Sequence, residues 1–183
     1  DKWGNMIAAT PSGGWLQSSP IIPELGFCLS NRAQMFWLDK NSPACLEPGK
    51  RPRTTLSPSL ALKDGQPYMV FGTPGGDQQD QWSLHLFLRH ILFDLNLQEA
   101  IDSPGFNTAH FPNSFYPRET DIGSLFIESR FPEKTIKKLI SKGHNVSVED
   151  EWTLGRMTAA SKEGSILKAA ANPRYMQGYA IGR

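Results

Sequence analysis

Residues 59–77 read SLALKDGQPYMVFGTPGGD and predict a β-hairpin that runs into a glycine-rich turn. Asp64 and Gly65 stand between two apolar runs, and Asp-Gly in that position is a strong signal for a two-residue hairpin turn. Residues 72–77 then join the second strand to the start of a long helix. Consecutive glycines at such a junction let the backbone approach a ligand, and their N–H groups can hold an anion or a developing oxyanion. The alternative is a plain turn whose glycines only supply positive φ.

Downstream of this turn the apolar period changes from that of a strand to that of a helix. This first helix has a stripe of apolar residues along one face, and further apolar residues beside the stripe predict that the helix is packed on two sides. A capping-box pattern at residues 96–99 opens a second, short helix. A third helix begins at Pro132 and ends at Gly143, where a left-handed cap belongs. The stripe of the first helix consists of Leu84, Leu88, Ile91 and Leu95.

The remaining segments predict short strands and long ordered loops. Adjacent hairpins with helices grouped between them indicate an antiparallel α+β layer structure. We interpret the whole chain, residues 1–183, as a single domain. We expect the long helix to pack on an antiparallel sheet that contains residues 6–11 and 68–73. Besides the hairpin, the predicted strands are residues 6–10, 26–29, 124–129, 145–148, 156–160 and 166–171.

Charge and composition exclude several classes of protein. Lys plus Arg is 19 and Asp plus Glu is 18, so the net charge is +1, which excludes a broadly polycationic nucleic-acid binder and an acidic disordered tail. No stretch approaches the roughly 18 apolar residues of a transmembrane helix. Cys28 and Cys45 make neither a disulfide scaffold nor a zinc site, and two unpaired thiols are favoured over one bridge. The four histidines show no metal-ligand spacing, so no metal site is predicted.

Two further loops carry groups that bind anions. Residues 50–55 offer three cations and two hydroxyls, which suit a carboxylate or a phosphate. The alternative is a solvated basic loop, or an arginine turned inward into an ion pair. Ser12, Gly13 and Gly14 follow the first predicted strand and present a hydroxyl and backbone amides at a strand end. From the residues alone, backbone donors and hydroxyls converge on loops at strand ends.

Four segments follow a recognisable pattern, in order, over nearly the whole chain. They are DKWGN at residues 1–5, PGKRPRTTLSP at 48–58, GTPGG at 72–76, and NLQEA followed by proline and phenylalanine within residues 96–106. These segments resemble the D-x-x-G-N, P-x-K-R-P-x-S-S-x-S-P, G-S-P-G-G and N-x-x-E-A…A-P-R-F patterns of the gamma-glutamyltranspeptidase family. The two central motifs are jointly specific to that family.

The resemblance implies an N-terminal-nucleophile hydrolase fold, an αββα sandwich, of which this chain is most of the small subunit. In that family a precursor cleaves itself into a large and a small subunit, and the new N-terminal Thr attacks an amide with its own α-amine as base. An acyl-enzyme then passes its acyl group to water or an amine, with no metal or organic cofactor. The implied substrate is a γ-glutamyl or related acyl amide. The implied partner is the large subunit, in a heterodimer or a higher oligomer.

For catalysis, the resemblance assigns three positions of this chain. Gly75 and Gly76 match the glycines whose N–H groups form the oxyanion hole, and Ser12 matches a Thr whose hydroxyl supports the nucleophile. The family's early pattern is T-T-H-x-x-V-x-D-x-x-G-N, so Asp1 would place the catalytic Thr seven positions before residue 1. The isolated chain is therefore expected to be inactive. We expect the two glycines to lie beside Ser12 and Thr54.

For substrate binding, the resemblance points to four aligned positions and to a fifth at which this chain lacks the side chain that the family's transferases often have. Thr54 and Thr55 match a Ser-Ser pair that contacts the substrate's α-carboxylate. Gly14 falls where the family's transferases often have Asn, so that side-chain contact is absent. The residues that grip the α-ammonium align with Arg32 and Met35, neither of which is a suitable acceptor for a cation. A poor γ-glutamyl transferase, with a preference for glutaryl-type acyl groups, is the resulting expectation.

Two other classes of function stay open at this point. One is a non-catalytic family member that acts as a binding or structural protein, and the other is a separate binding module that uses residues 50–53. The turn at the start of the chain, followed at once by a predicted strand, favours a fragment or a processing product. The sequence does not indicate a compartment.

Overall fold

The computed structural model describes residues 1, 3–14, 16–176 and 178–182, which form an α+β fold. The strands are β1 (Ile21–Ile22), β2 (Phe27–Cys28), β3 (Ser59–Lys63), β4 (Gln66–Gly72), β5 (Phe106–Ala109), β6 (Asp121–Glu128), β7 (Asn145–Glu149), β8 (Thr158–Glu163) and β9 (Ile166–Ala171). The helices are α1 (Gln79–Leu92), α2 (Leu97–Asp102) and α3 (Glu133–Ser141). Within the described ranges, no helix is long and apolar enough to cross a membrane.

The main sheet is antiparallel and has the strand order β3-β4-β8-β9. The predicted hairpin is confirmed, because β3 pairs with β4 and both Asp64 and Gly65 have positive φ, 52° and 76°, as a type I′ turn requires. A second hairpin joins β8 to β9, also as predicted. Because β4 ends at Gly72, the hairpin delivers the glycine-rich turn to one end of this sheet.

The helices α1 and α2 pack on one face of the main sheet, as the layer prediction requires. Met69, Leu86 and Ala170 are among the residues buried between them. The capping box of α2 is confirmed, since the Asn96 side chain accepts a hydrogen bond from Glu99 N and the Glu99 carboxylate accepts one from Asn96 N. Local sequence therefore sets where α2 begins, and burial of apolar side chains holds it on the sheet.

Two members of the predicted apolar stripe of α1 are exposed, whereas its last member, Leu95, follows the helix and packs against the core. Leu84 is 53% exposed and Ile91 is 41% exposed, whereas the buried positions of the helix are Gln79, Ser83 and Leu86. Two of those three residues are polar, so a search for apolar periodicity selects the other side of the helix. One of these buried polar residues, Gln79, joins two loops of the site described below.

The second sheet has the order β5-β6-β7 and includes a parallel pair. The sequence predicts β6 and β7 as strands of an antiparallel structure. In the structure α3 forms the crossover between them, and the two strands are parallel. The helix ends as predicted near Gly143, which has a φ of 93°. The sequence does not predict β5, because its four residues are too few to show a period.

The N-terminal segment departs from its prediction. Residues 6–10 form no strand, because their backbone has no ladder partner in the described part of the chain, and the expectation that residues 6–11 join the main sheet is wrong. They still run beside the end of β4, where a Cβ added to Gly72 would lie 3.1 Å from Thr10 Cγ2. The strand expected at residues 26–29 is shortened to β2, and its Phe27 is 58% exposed rather than buried.

Candidate functional site

One cavity, of about 920 Å³, gathers five of the seven predicted site residues at the end of β4. They reach it from four loops that are distant in sequence. Thr54 and Gly14 do not line it. The five residues in the wall are Ser12, Arg32, Thr55, Gly75 and Gly76.

The glycine turn presents backbone amides at the start of α1. Gly75 has a φ of 138°, and a Cβ there would overlap the ring of Trp82, so no other residue fits without movement. Gly76 has a φ of 63° and opens a short 3-10 helix that leads into α1. Neither the Gly75 nor the Gly76 amide donates a hydrogen bond to any described residue. Two unengaged N–H groups at the N-terminal end of a helix form a site for an anion or an oxyanion.

Two polar residues, the buried Gln79 on α1 and the half-buried Asp77 just before it, fix this turn against the basic loop. With its amide nitrogen turned toward both acceptors, Gln79 donates to the carbonyl oxygens of Thr55 at 3.1 Å and Thr73 at 2.9 Å. Asp77 forms an ion pair with Arg53 at 3.5 Å. The sequence patterns did not single out Gln79 or Asp77. Their polar character at the entry to an apolar helix was the signal that could have identified them.

The two threonines of the basic loop have different environments. Thr55 is 7% exposed and lines the cavity. Thr54 is exposed, and its hydroxyl oxygen accepts a hydrogen bond from Leu56 N at 3.1 Å, which closes a local turn. Only Thr55 is therefore placed to meet a ligand in the cavity.

Arg32 lies in the cavity wall and has no counter-ion among the described residues. Its Nη2 donates to Ser12 Oγ at 3.1 Å, and its guanidinium carbon lies 6.0 Å from the centre of the Phe115 ring. Its Nε is buried and meets no acceptor, and no described carboxylate lies within ion-pair distance of it. Met35, the neighbouring aligned position, is fully buried and does not line the cavity. The wall thus carries a positive charge that suits a carboxylate.

Gly14 is a packing residue rather than a wall residue. A Cβ at this position would lie 2.6 Å from the carbonyl oxygen of Cys28, so a larger side chain would displace β2.

Two cations of the basic loop form ion pairs, Lys50 with Glu47 at 3.6 Å and Arg53 with Asp77 at 3.5 Å. The third cation, Arg51, is exposed. The described residues include no group of three or more His, Cys, Asp or Glu that could hold a metal ion.

A buried ionic cluster lies behind the site and was not predicted. Glu128 is 0% exposed and pairs with Arg130 at 2.6 Å and Arg174 at 3.1 Å. Its carboxylate also accepts hydrogen bonds from Gly105 N and Leu154 N, each at 3.0 Å. Burial alone would raise the pKa of Glu128, but the hydrogen bonds from Arg174, the two amides and Arg130 outweigh it and hold the pKa below its ordinary value. The cluster joins the β6 end to the segment after β9.

Comparisons with known proteins agree with this architecture. A family model described as gamma-glutamyltranspeptidase matches residues 1–182. The chain is 35% identical over 168 residues to the glutathione hydrolase-like YwrD proenzyme of Bacillus subtilis, and 35% identical over 161 residues to the oxamate amidohydrolase proenzyme of Klebsiella pneumoniae. These matches cover 90% and 86% of this chain but 31% and 29% of those proteins, so the chain spans about a third of the length of its curated relatives.

Solved structures give the same result for the fold. The structure of LmbA2991HD is 54% identical, with a TM-score of 0.88 over 95% of this chain and 31% of that one. The gamma-glutamyltranspeptidase from Pseudomonas nitroreducens complexed with L-DON is 22% identical, with a TM-score of 0.77 over 100% of this chain and 95% of that one. At that identity the likeness concerns the fold alone. It confirms the predicted α+β fold class.

Proposed function

The chain belongs to the gamma-glutamyltranspeptidase family, and we propose that it is the small-subunit region of an amidohydrolase or acyltransferase that works through an acyl-enzyme. The observation that carries this proposal is the pair of unengaged amides of Gly75 and Gly76 in the cavity wall. Donors fixed in advance at the position of a developing oxyanion stabilise the transition state of acyl transfer.

In the proposed reaction the nucleophile is the N-terminal Thr of the mature small subunit, which lies outside residues 1–183. Its α-amine takes the hydroxyl proton while the hydroxyl oxygen attacks the substrate's carbonyl carbon. The carbonyl oxygen becomes the oxyanion that Gly75 and Gly76 stabilise, and Ser12 supports the nucleophile. The proton passes to the leaving amine as the C–N bond breaks, which leaves an ester on the Thr. Water or an acceptor amine then attacks the ester and restores the Thr.

The proposed partner is the large subunit of the same precursor. Side chains alternate across a strand, so Leu60 and Leu62 lie on the face of the main sheet opposite Ala61, which packs against the α1–α2 core. They are 51% and 59% exposed, and Leu167 on β9 is 61% exposed. An exposed apolar sheet face of this kind fits the inner layer of an αββα sandwich that is completed by the large subunit.

For the substrate, we propose an amide whose acyl group carries a carboxylate and no α-ammonium. Arg32 would meet an ammonium with a like charge, and Met35 is buried away from the cavity. The Thr55 hydroxyl and the Arg32 guanidinium both suit a carboxylate. One relative at 35% identity is named an oxamate amidohydrolase, and oxamate is an amide with a carboxylate and no ammonium. A glutaryl-type acyl group is the form that we propose to test.

The test measures kcat/KM of the complete two-subunit protein for glutaryl and γ-glutamyl anilides, after chromatography has shown that the precursor is processed. We expect saturable release of the aniline, with the glutaryl substrate preferred. Replacement of the N-terminal Thr by Ala is the control and should abolish release. A processed protein that cleaves neither anilide would favour the non-catalytic alternative. A strong γ-glutamyl preference would keep the enzyme but overturn the assignment of Arg32.

A further inference from the structure

The indole of Trp82 lies directly against the glycine turn that precedes its own helix. A Cβ built on Gly75 would overlap Trp82 Cζ3 and would lie 3.1 Å from both Cε3 and Cη2. The outer edge of the benzo ring therefore fills the space on one side of the Gly75 backbone. Glycine can adopt the φ of 138° seen at Gly75, but it can also adopt many other conformations, so contacts with its surroundings must hold its backbone in this one.

The other end of the same indole is held by a second loop. A Cβ on Gly155 would lie 3.5 Å from Cγ and Cδ2 of Trp82, an ordinary packing distance. The next residue, Arg156, donates from its backbone N to Thr73 Oγ1 at 3.2 Å, and both of these residues line the cavity. The indole is thus wedged between the Gly75 turn and the loop that contains Gly155.

The polar edge of the indole faces a small second cavity. Trp82 Nε1 and His85 Nδ1 are both buried and have no partner among the described residues, and both side chains line a space of about 20 Å³. Roughly 10–15 Å³ is enough for one water. Burial, with Arg89 nearby, lowers the pKa of His85 to about 4, so its ring is neutral at pH 7 and one ring nitrogen can accept a hydrogen bond. One water accepting from Trp82 and donating to His85 would fix the indole in its plane.

We propose that Trp82 is a positioning residue for catalysis, which holds the Gly75 and Gly76 amides in the direction that an oxyanion requires. The expected effect on kcat rests on the proposed function, whereas the expected effect on the Gly75 backbone rests on geometry alone. Trp82 acts through the turn and does not itself line the cavity. Without the benzo edge, the Gly75 backbone can adopt other conformations open to glycine and turn its amide away. Misplacement by about 1 Å costs on the order of a hundredfold in rate.

The decisive variant is Trp82→Phe in the complete processed protein. A phenylalanine ring retains the inner contact near Gly155 but lacks the outer atoms that meet Gly75. We expect kcat per titrated active site to fall about ten- to a hundredfold, with KM changed less than about threefold, because the oxyanion exists only in the transition state. The matched control is Leu97→Ala, a core residue of α2 at 4% exposure that lines neither cavity, which should lower the melting temperature and leave kcat unchanged.

A crystal structure of the Trp82→Phe protein provides a second readout that does not depend on activity. We expect the φ of Gly75 to move away from 138° and the direction of its N–H to change. An unmoved turn, or a loss of kcat no larger than that of Leu97→Ala, would overturn the proposal. A displaced turn in a protein whose wild type cleaves no amide would support the positioning role and refute the proposed function.

Discussion

Arg32 donates a hydrogen bond from Nη2 to the hydroxyl oxygen of Ser12 over 3.1 Å, and both side chains line the same cavity as the glycine turn. The hydrogen bond orients the guanidinium while it leaves the positive charge without a described counter-ion. An uncompensated charge in a cavity wall selects for an oppositely charged ligand. We therefore expect Arg32 and Ser12 to select the substrate by the charge of its acyl group.

Reversing the charge at this position should reverse the preference for the acyl group. In the complete enzyme, Arg32→Glu should lower kcat/KM for a glutaryl anilide by about ten- to a hundredfold, the worth of a charge-assisted hydrogen bond. The same change should raise kcat/KM for the γ-glutamyl anilide, whose ammonium would gain a carboxylate. Lys134→Glu, the same charge change at an exposed site on α3, should alter neither value. If the two anilides respond equally to Arg32→Glu, the guanidinium does not contact the acyl group.

The two adjacent threonines should differ sharply when their hydroxyls are removed. Thr55→Val takes a hydroxyl from the cavity wall and should raise KM for a carboxylate substrate by about ten- to a hundredfold. Thr54→Val removes an acceptor that serves only Leu56 N, so it should change kcat/KM by less than about fivefold. Steady-state kinetics of both variants measure this contrast. Equal losses would mean that both hydroxyls reach the substrate, as the sequence motif suggested.

The two glycines of the turn should also respond differently to alanine. At Gly75 the new Cβ would overlap the Trp82 ring, so Gly75→Ala should displace the turn and reduce kcat by about 10²–10³-fold. At Gly76 the nearest atom to a Cβ is Gln78 Oε1 at 3.9 Å, so only the positive φ is penalised, by about 1–2 kcal/mol. Gly76→Ala should therefore lose thermal stability and keep most of its kcat. A larger loss of kcat in Gly76→Ala than in Gly75→Ala would contradict the packing described here.

Acid should weaken the protein through its buried ionic cluster. The pKa of Glu128 is lower in the folded state than its ordinary value of 4.5, so its contribution to stability is complete above about pH 4.5 and is lost as the pH falls through the folded value. Glu128→Gln should cost about 3–5 kcal/mol at pH 7, because it leaves buried arginines uncompensated, and should flatten this acid dependence. Urea unfolding at pH 7 and pH 3.5 measures both effects. Glu133→Gln, which breaks an exposed pair with Lys137, should change little at either pH.

Much of this protein is determined by short-range sequence. The Asp64-Gly65 turn, the Asn96–Glu99 capping box and the Gly143 cap each depend on a few adjacent residues, and each is found where the sequence places it. The order of motifs along the chain also sufficed for the family and for the fold class. Such features are predictable because backbone conformation and capping hydrogen bonds are decided within one or two turns of chain.

The tertiary structure alone decided which side of each element is used. The crossover through α3 makes β6 and β7 parallel, and Gln79, on the buried and less apolar side of α1, donates a hydrogen bond to the Thr55 carbonyl oxygen. Thr55 lines the cavity, and its neighbour Thr54 does not. The sequence determined which chemical groups this protein offers, because local patterns carry that information. Which groups meet is set by contacts between residues far apart in the chain, whose energies depend on how complete layers pack against each other.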